Sequence, residues 1–82
     1  MLQVEMRYSA GEKYAHRASV ELASWESANS ISAMIAARHR LEAWAQEPGV
    51  GIDWRPGRPE EATDATVYAH RGVFTFRVWV RG

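Results

Sequence analysis

The stretch Val73-Phe74-Thr75-Phe76-Arg77-Val78-Trp79-Val80-Arg81 decides the fold. Side chains alternate between the two faces of a strand, so Phe74, Phe76, Val78 and Val80 share one side and Thr75, Arg77, Trp79 and Arg81 the other. The first row needs only a core to explain it. The second sets a tryptophan between two arginines on a side that a core does not account for, and this is the strongest functional signal in the chain.

Immediately upstream, Ala65 to His70 reads as another strand that turns at Arg71-Gly72 into the last one. Pairing around that turn is expected to set Val67 across from Phe76 and Ala69 across from Phe74 on the core side. Thr66, Tyr68 and His70 would then lie beside Val73, Thr75 and Arg77 on the other. Further back, Val50, Ile52 and Trp54 alternate with Gly51, Asp53 and Arg55 in a short strand. Between these strands, Arg55-Pro56-Gly57-Arg58-Pro59-Glu60-Glu61 reads as a turn-rich loop, with arginines around a Pro-Gly turn and an acidic cluster reaching Asp64.

The amino-terminal third carries two further alternating runs. Leu2, Val4, Met6 and Tyr8 form one apolar row, and Tyr14, His16, Ala18, Val20 and Leu22 a second. A hairpin around Glu12 would set Tyr8 across from His16 and Val4 across from Val20. Between the two hairpins, Ser24 as N-cap, Glu26 in the first turn and Pro48-Gly49 as terminator predict one long helix from Trp25 to Gln46. Its core face is expected to hold Ile31, Met34, Ile35, Leu41 and Ala45 with Trp44 at the edge, and Asn29, Ala33, Ala36, Arg40, Ala43 and Glu47 to face away. Arg38 interrupts the apolar stripe and is expected to pair with Glu42 one turn later. The order is ββαβββ: an α+β fold, with an antiparallel or mixed sheet and one long helix packed on one face, forming a single domain over residues 1–82.

A chain of 82 residues supports one modest core. It has no cysteine, so stability must come from packing without disulfides or thiolate metal sites. Ten Lys+Arg balance ten Asp+Glu, and a net charge of zero gives the whole molecule no field that steers it toward nucleic acid; any such binding needs a local patch. The start Met1-Leu2-Gln3-Val4-Glu5 is unlike a leader peptide, and no uncharged stretch approaches the roughly 20 residues that span a bilayer. The expected location is cytoplasmic, with no membrane partner.

The phosphate-cradling glycine loop, the nucleophile elbow, the paired-histidine zinc helix and the calcium loop are all missing from the sequence. His39 and Glu42 have the spacing of a helical metal-ligand pair but no third ligand. His16 is expected on the core face near Tyr8 and Tyr14, in a structural role. The expectation is therefore no enzyme activity, no cofactor and no metal. The candidate partner-binding residues are Tyr68, His70, Thr75, Arg77, Trp79 and Arg81 on the uncovered sheet face, with Arg55 and Arg58 in the loop. Tryptophan and arginine are the residue types most enriched at binding hot spots, and a guanidinium fork fits phosphate or carboxylate.

The junction Val20-Glu21-Leu22-Ala23-Ser24-Trp25-Glu26-Ser27-Ala28, followed by an alanine-rich helix and a late aromatic hairpin, resembles small phage-encoded proteins, among them inhibitors of type I CRISPR complexes. The resemblance covers the chain in outline. It implies a non-catalytic inhibitor whose partner is a protein or nucleoprotein complex, and which covers a nucleic-acid channel or a recruitment surface. Many such inhibitors are acidic nucleic-acid mimics, whereas this chain is neutral. Two other readings stand beside it. One is direct binding of single-stranded nucleic acid, with Trp79, Tyr68 and His70 stacking on bases and Arg71, Arg77 and Arg81 meeting phosphates. The other is a self-associating module, a homodimer built through sheet faces or edges.

Overall fold

Alternation along the last strand survives intact in the folded chain. The computed structural model describes residues 1–56 and 62–82, and its elements are β1 (Leu2–Ala10), β2 (Val20–Ser27), α1 (Ser30–Ala45), β3 (Gly51–Pro56), β4 (Ala62–Ala69) and β5 (Gly72–Arg81). A short 3-10 turn, His16–Ala18, lies between the first two strands. The strands form one five-stranded sheet in the order β2-β1-β5-β4-β3, with every pairing antiparallel. The ββαβββ order is as expected, with α1 packed on one face. Arg58, with Gly57 and the Glu60-Glu61 acids around it, lies outside the described residues.

The core sits between α1 and the sheet. Val4 and Met6 of β1, Phe76 and Val78 of β5, and Ala65 and Val67 of β4 are buried beneath Ala33, Ala37, Leu41 and Ala45 of α1. Trp44 closes one end, its ring standing nearly perpendicular to Phe74 and Phe76 at centroid distances of 4.7 and 5.0 Å. That edge-to-face arrangement is favoured by the aromatic quadrupole.

Three local expectations are corrected. The helix begins at Ser30, and residues 25 to 27 belong to β2 instead. Pairing with β1 sets Trp25 across from Val4 and Ser27 across from Leu2, so these residues gain ladder bonds and Trp25 packs against the core. The cap is Asn29, whose side-chain oxygen accepts the Ser32 N–H at 2.8 Å. At the other end Gln46 turns left-handed at φ 56°, and its N–H bonds the carbonyls of Ala43 and Glu42. The Glu42 carboxylate accepts the Gly49 N–H at 3.0 Å, and Arg38, its expected partner, stands exposed in solvent.

The buried face of α1 is also rotated. Ala33, Ala37, Leu41 and Ala45 recur every fourth residue and form the ridge that meets the sheet, whereas Ile31 and Ile35 are 74% and 54% exposed. Ala33, expected to face away, is fully buried. The sheet side is already filled by Phe76, Met6 and the ring of Trp25, and Trp44 of the helix itself occupies one end, so a ridge of three alanines around a single leucine lets the helix approach it.

Both hairpins pair in a different register from that expected. In the first, Tyr8 faces Val20 and Val4 faces Trp25, and Leu22 is bulged out where the register shifts at Met6/Arg7. Residues 11 to 19 thereby become a loop, and His16 leaves the core face for an exposed turn. In the second hairpin His70 and Arg71 form the turn, and Ala69 pairs with Gly72, Val67 with Phe74 and Ala65 with Phe76. The register there is two residues from the expected one, and an even shift leaves the paired side chains on their predicted faces while His70 moves from the strand into the turn.

Candidate interface on the helix-free sheet face

The face opposite α1 is built from β1, β4 and β5. Cross-strand pairing sets Gln3 beside Arg81, Glu5 beside Trp79, Arg7 beside Arg77 and Ser9 beside Thr75, with Asp64 on the other side of Arg77. Two arginines directly opposite each other would repel. Each has a carboxylate beside it, Asp64 for Arg77 and Glu5 for Arg7.

Arg77 donates two hydrogen bonds to the Asp64 carboxylate, at 2.6 and 3.0 Å. This bidentate bond, with the attraction of the carboxylate charge, raises the Arg77 pKa further above its ordinary value against the opposing effect of burial. The guanidinium carbon also lies 4.3 Å from the centroid of Tyr14. Arg7 donates to the Ser19 hydroxyl at 2.9 Å and the Ser19 carbonyl at 3.0 Å, and lies 3.7 Å from Glu5.

The β1–β2 loop folds over part of this face. Ser9 accepts the Ala15 N–H at 3.1 Å, the Gly11 N–H bonds the Val73 carbonyl at 3.1 Å, and the Thr75 hydroxyl donates to the Gly11 carbonyl at 2.8 Å. The Tyr14 hydroxyl donates to the Ser19 hydroxyl at 3.0 Å, which donates onward to the His16 carbonyl at 2.6 Å. Thr75, expected as a contact residue, is consequently 2% exposed and fastens the loop.

Trp79 lies at the margin of this covered zone. It is half-buried, with Tyr14 and His16 against it edge-on at centroid distances of 6.3 and 6.2 Å. Arg81 sits 5.5 Å from the indole centroid on another side and 3.7 Å from Glu5. A cleft of about 270 Å³ opens beside the indole, lined by Gln3, Glu5, Glu21, Ser24 and Arg81.

Trp79, Arg77 and Arg81 are thus brought together, and the other candidates are dispersed. Tyr68 lies on the same face and is half exposed, but it pairs with Val73, six residues along β5 from Trp79 and roughly 20 Å away at the usual strand rise. His70 is in the β4–β5 turn instead of on the face, with its backbone N–H donating to Glu47 at 3.2 Å. Arg71 beside it stacks 4.0 Å from the Trp44 ring and donates to the Trp44 carbonyl at 2.6 Å. Arg55, on the edge strand β3, is exposed and paired with Asp53 at 2.9 Å.

Tyr14, His16, Arg7 and Ser19 complete the site; alternation already puts Arg7 and Ser19 on the outward side, whereas Tyr14 and His16 were not expected there. Alternation assigned Tyr14 and His16 to the core row, and the loop that redirects them is fastened by long-range side-chain bonds that leave no periodic signal. Among the described residues, no group of three histidine, aspartate or glutamate side chains is placed to hold a metal ion. No helix of the described residues is long and apolar enough to cross a membrane. No protein-family model matches the chain, and no curated protein or solved structure matches it.

Proposed function

We propose that the protein is a non-enzymatic binding module that docks on a protein or nucleoprotein complex through the Trp79 side of its helix-free sheet face. The observation that carries this reading is the setting of Trp79. Its indole is fixed by Tyr14, His16 and Arg81, yet it remains partly exposed on the face that α1 leaves uncovered. A large ring held in one orientation loses little entropy on binding, and such anchors dominate interface energies.

The outline resemblance to phage-encoded inhibitors of type I CRISPR complexes supplies the candidate partner, the effector complex itself. Direct single-strand binding has less support, because Arg77 is engaged by Asp64 and Arg7 by Ser19 and Glu5, so neither guanidinium is free to meet a phosphate.

Titration of a type I effector complex with fluorescently labelled protein tests the reading. Saturable binding is expected, weakened at least about tenfold by Trp79→Ala with the circular dichroism spectrum unchanged. Binding that is indifferent to Trp79→Ala overturns the docking face, and no binding overturns this choice of partner.

A further inference from the structure

β2 is an edge of the sheet. Among the described residues its backbone pairs only with β1, so the ladder groups along its other side are unpaired. A depression flanks this edge on each face. On the helix side, Leu22, Ala23, Ala43 and Trp44 line a groove of about 320 Å³. It is bounded by Arg40, whose guanidinium lies 4.3 Å from the Trp25 centroid. On the open side lies the cleft beside Trp79, with Glu21 on its wall and Glu26 further along the same row. Both glutamates are exposed.

We propose that β2 accepts an extended segment of a protein partner as a sixth strand, one that alternates apolar with basic residues. A strand laid along this edge sends successive side chains to opposite faces. Its apolar side chains enter the groove between Leu22 and Trp44, and its lysines or arginines meet Glu21 and Glu26. A second copy of the chain carries the same two carboxylates on the same face of its own β2, so pairing with it would gather like charges on the open side instead of neutralising them. This inference deepens the docking reading, because the cleft shares Trp79, and it names the chemistry recognised there.

The test is a titration of the ¹⁵N-labelled full chain with a synthetic peptide of about seven alternating lysines and valines, beside its alternately N-methylated form and a glutamate-valine counterpart. The expected result is movement of the β2 amides with the lysine-valine peptide only. The Glu21→Lys, Glu26→Lys double variant should weaken the binding at least about tenfold, and so should Ala43→Glu, a substitution at an exposed helix position. Any of the following would overturn the inference: β2 amides that stay still at millimolar peptide, an N-methylated peptide that binds equally well, or β2 shifts that depend on protein concentration without peptide. Movement of the Trp79 indole N–H alone overturns the added strand while leaving the docking face standing.

Discussion

Arg77 on β5 and Asp64 on β4 face each other across the ladder and share two hydrogen bonds, at 2.6 and 3.0 Å. The pair turns an arginine that alternation places on the recognition face into a clasp between two central strands. Asp64→Ala is expected to destabilise the fold by about 1–2 kcal/mol in urea titrations, after allowance for the solvent screening of two partly exposed side chains. The raised Arg77 pKa means that its contribution is fully present below the ordinary guanidinium value and is lost only in more alkaline solution. A double-variant cycle of Arg77→Gln with Asp64→Asn should therefore give the same coupling at about pH 6 and about pH 9.

The alanine-rich ridge of α1 reverses the usual expectation for apolar substitutions. Ala37 is fully buried against the sheet, so Ala37→Leu should cost about 1–3 kcal/mol through overpacking, although it adds apolar surface. Ile35→Ala, at a position 54% exposed, should change stability by less than about 0.5 kcal/mol. Equal losses for both in thermal or urea unfolding would contradict the observed rotation of the helix.

Helix initiation offers a second contrast. Asn29 accepts the Ser32 N–H, so Asn29→Ala should cost about 0.5–2 kcal/mol, whereas Ser24→Ala, within a strand and exposed, should be close to neutral. The reverse order in denaturant midpoints would move the helix start back to Ser24.

Tyr14 ties the β1–β2 loop to the sheet through Ser19 and Arg77. Tyr14→Ala should loosen that loop while leaving the core intact. Trypsin cleavage after Lys13 and Arg17 should accelerate by at least about threefold, with little change in the far-ultraviolet spectrum. Unchanged cleavage would show that the loop is held without the ring.

With Arg7 and Arg77 neutralised, any affinity for single-stranded RNA should engage at most one or two phosphates. The slope of log K against log salt should then be no steeper than about −1.5 in filter binding. A markedly steeper slope would show that the guanidinium groups leave their carboxylates for the nucleic acid.

The face of each residue in β5 was legible from residue order alone. Phe76 and Val78 are buried under α1, and Arg77 and Trp79 lie on the opposite side, because strand parity has period two and is indifferent to which partner residue stands across the ladder. The same reasoning yields the order of elements, since each hairpin and the helix announce themselves through local periodicity and turn residues. The candidate site was legible only in part. Trp79 and its flanking arginines were visible, whereas Tyr14 and His16 were hidden by an alternation that continues through a loop.

The sequence by itself determined the α+β order and the side of the sheet on which each β5 residue stands, because both follow from interactions between near neighbours in the chain. Only the tertiary structure decided the pairing of Asp64 with Arg77, the burial of Ala33 in place of Ile35, and the closure of the loop on Trp79. Those outcomes depend on volumes and hydrogen-bond partners that meet only after distant segments come together, and no periodicity along the chain encodes them.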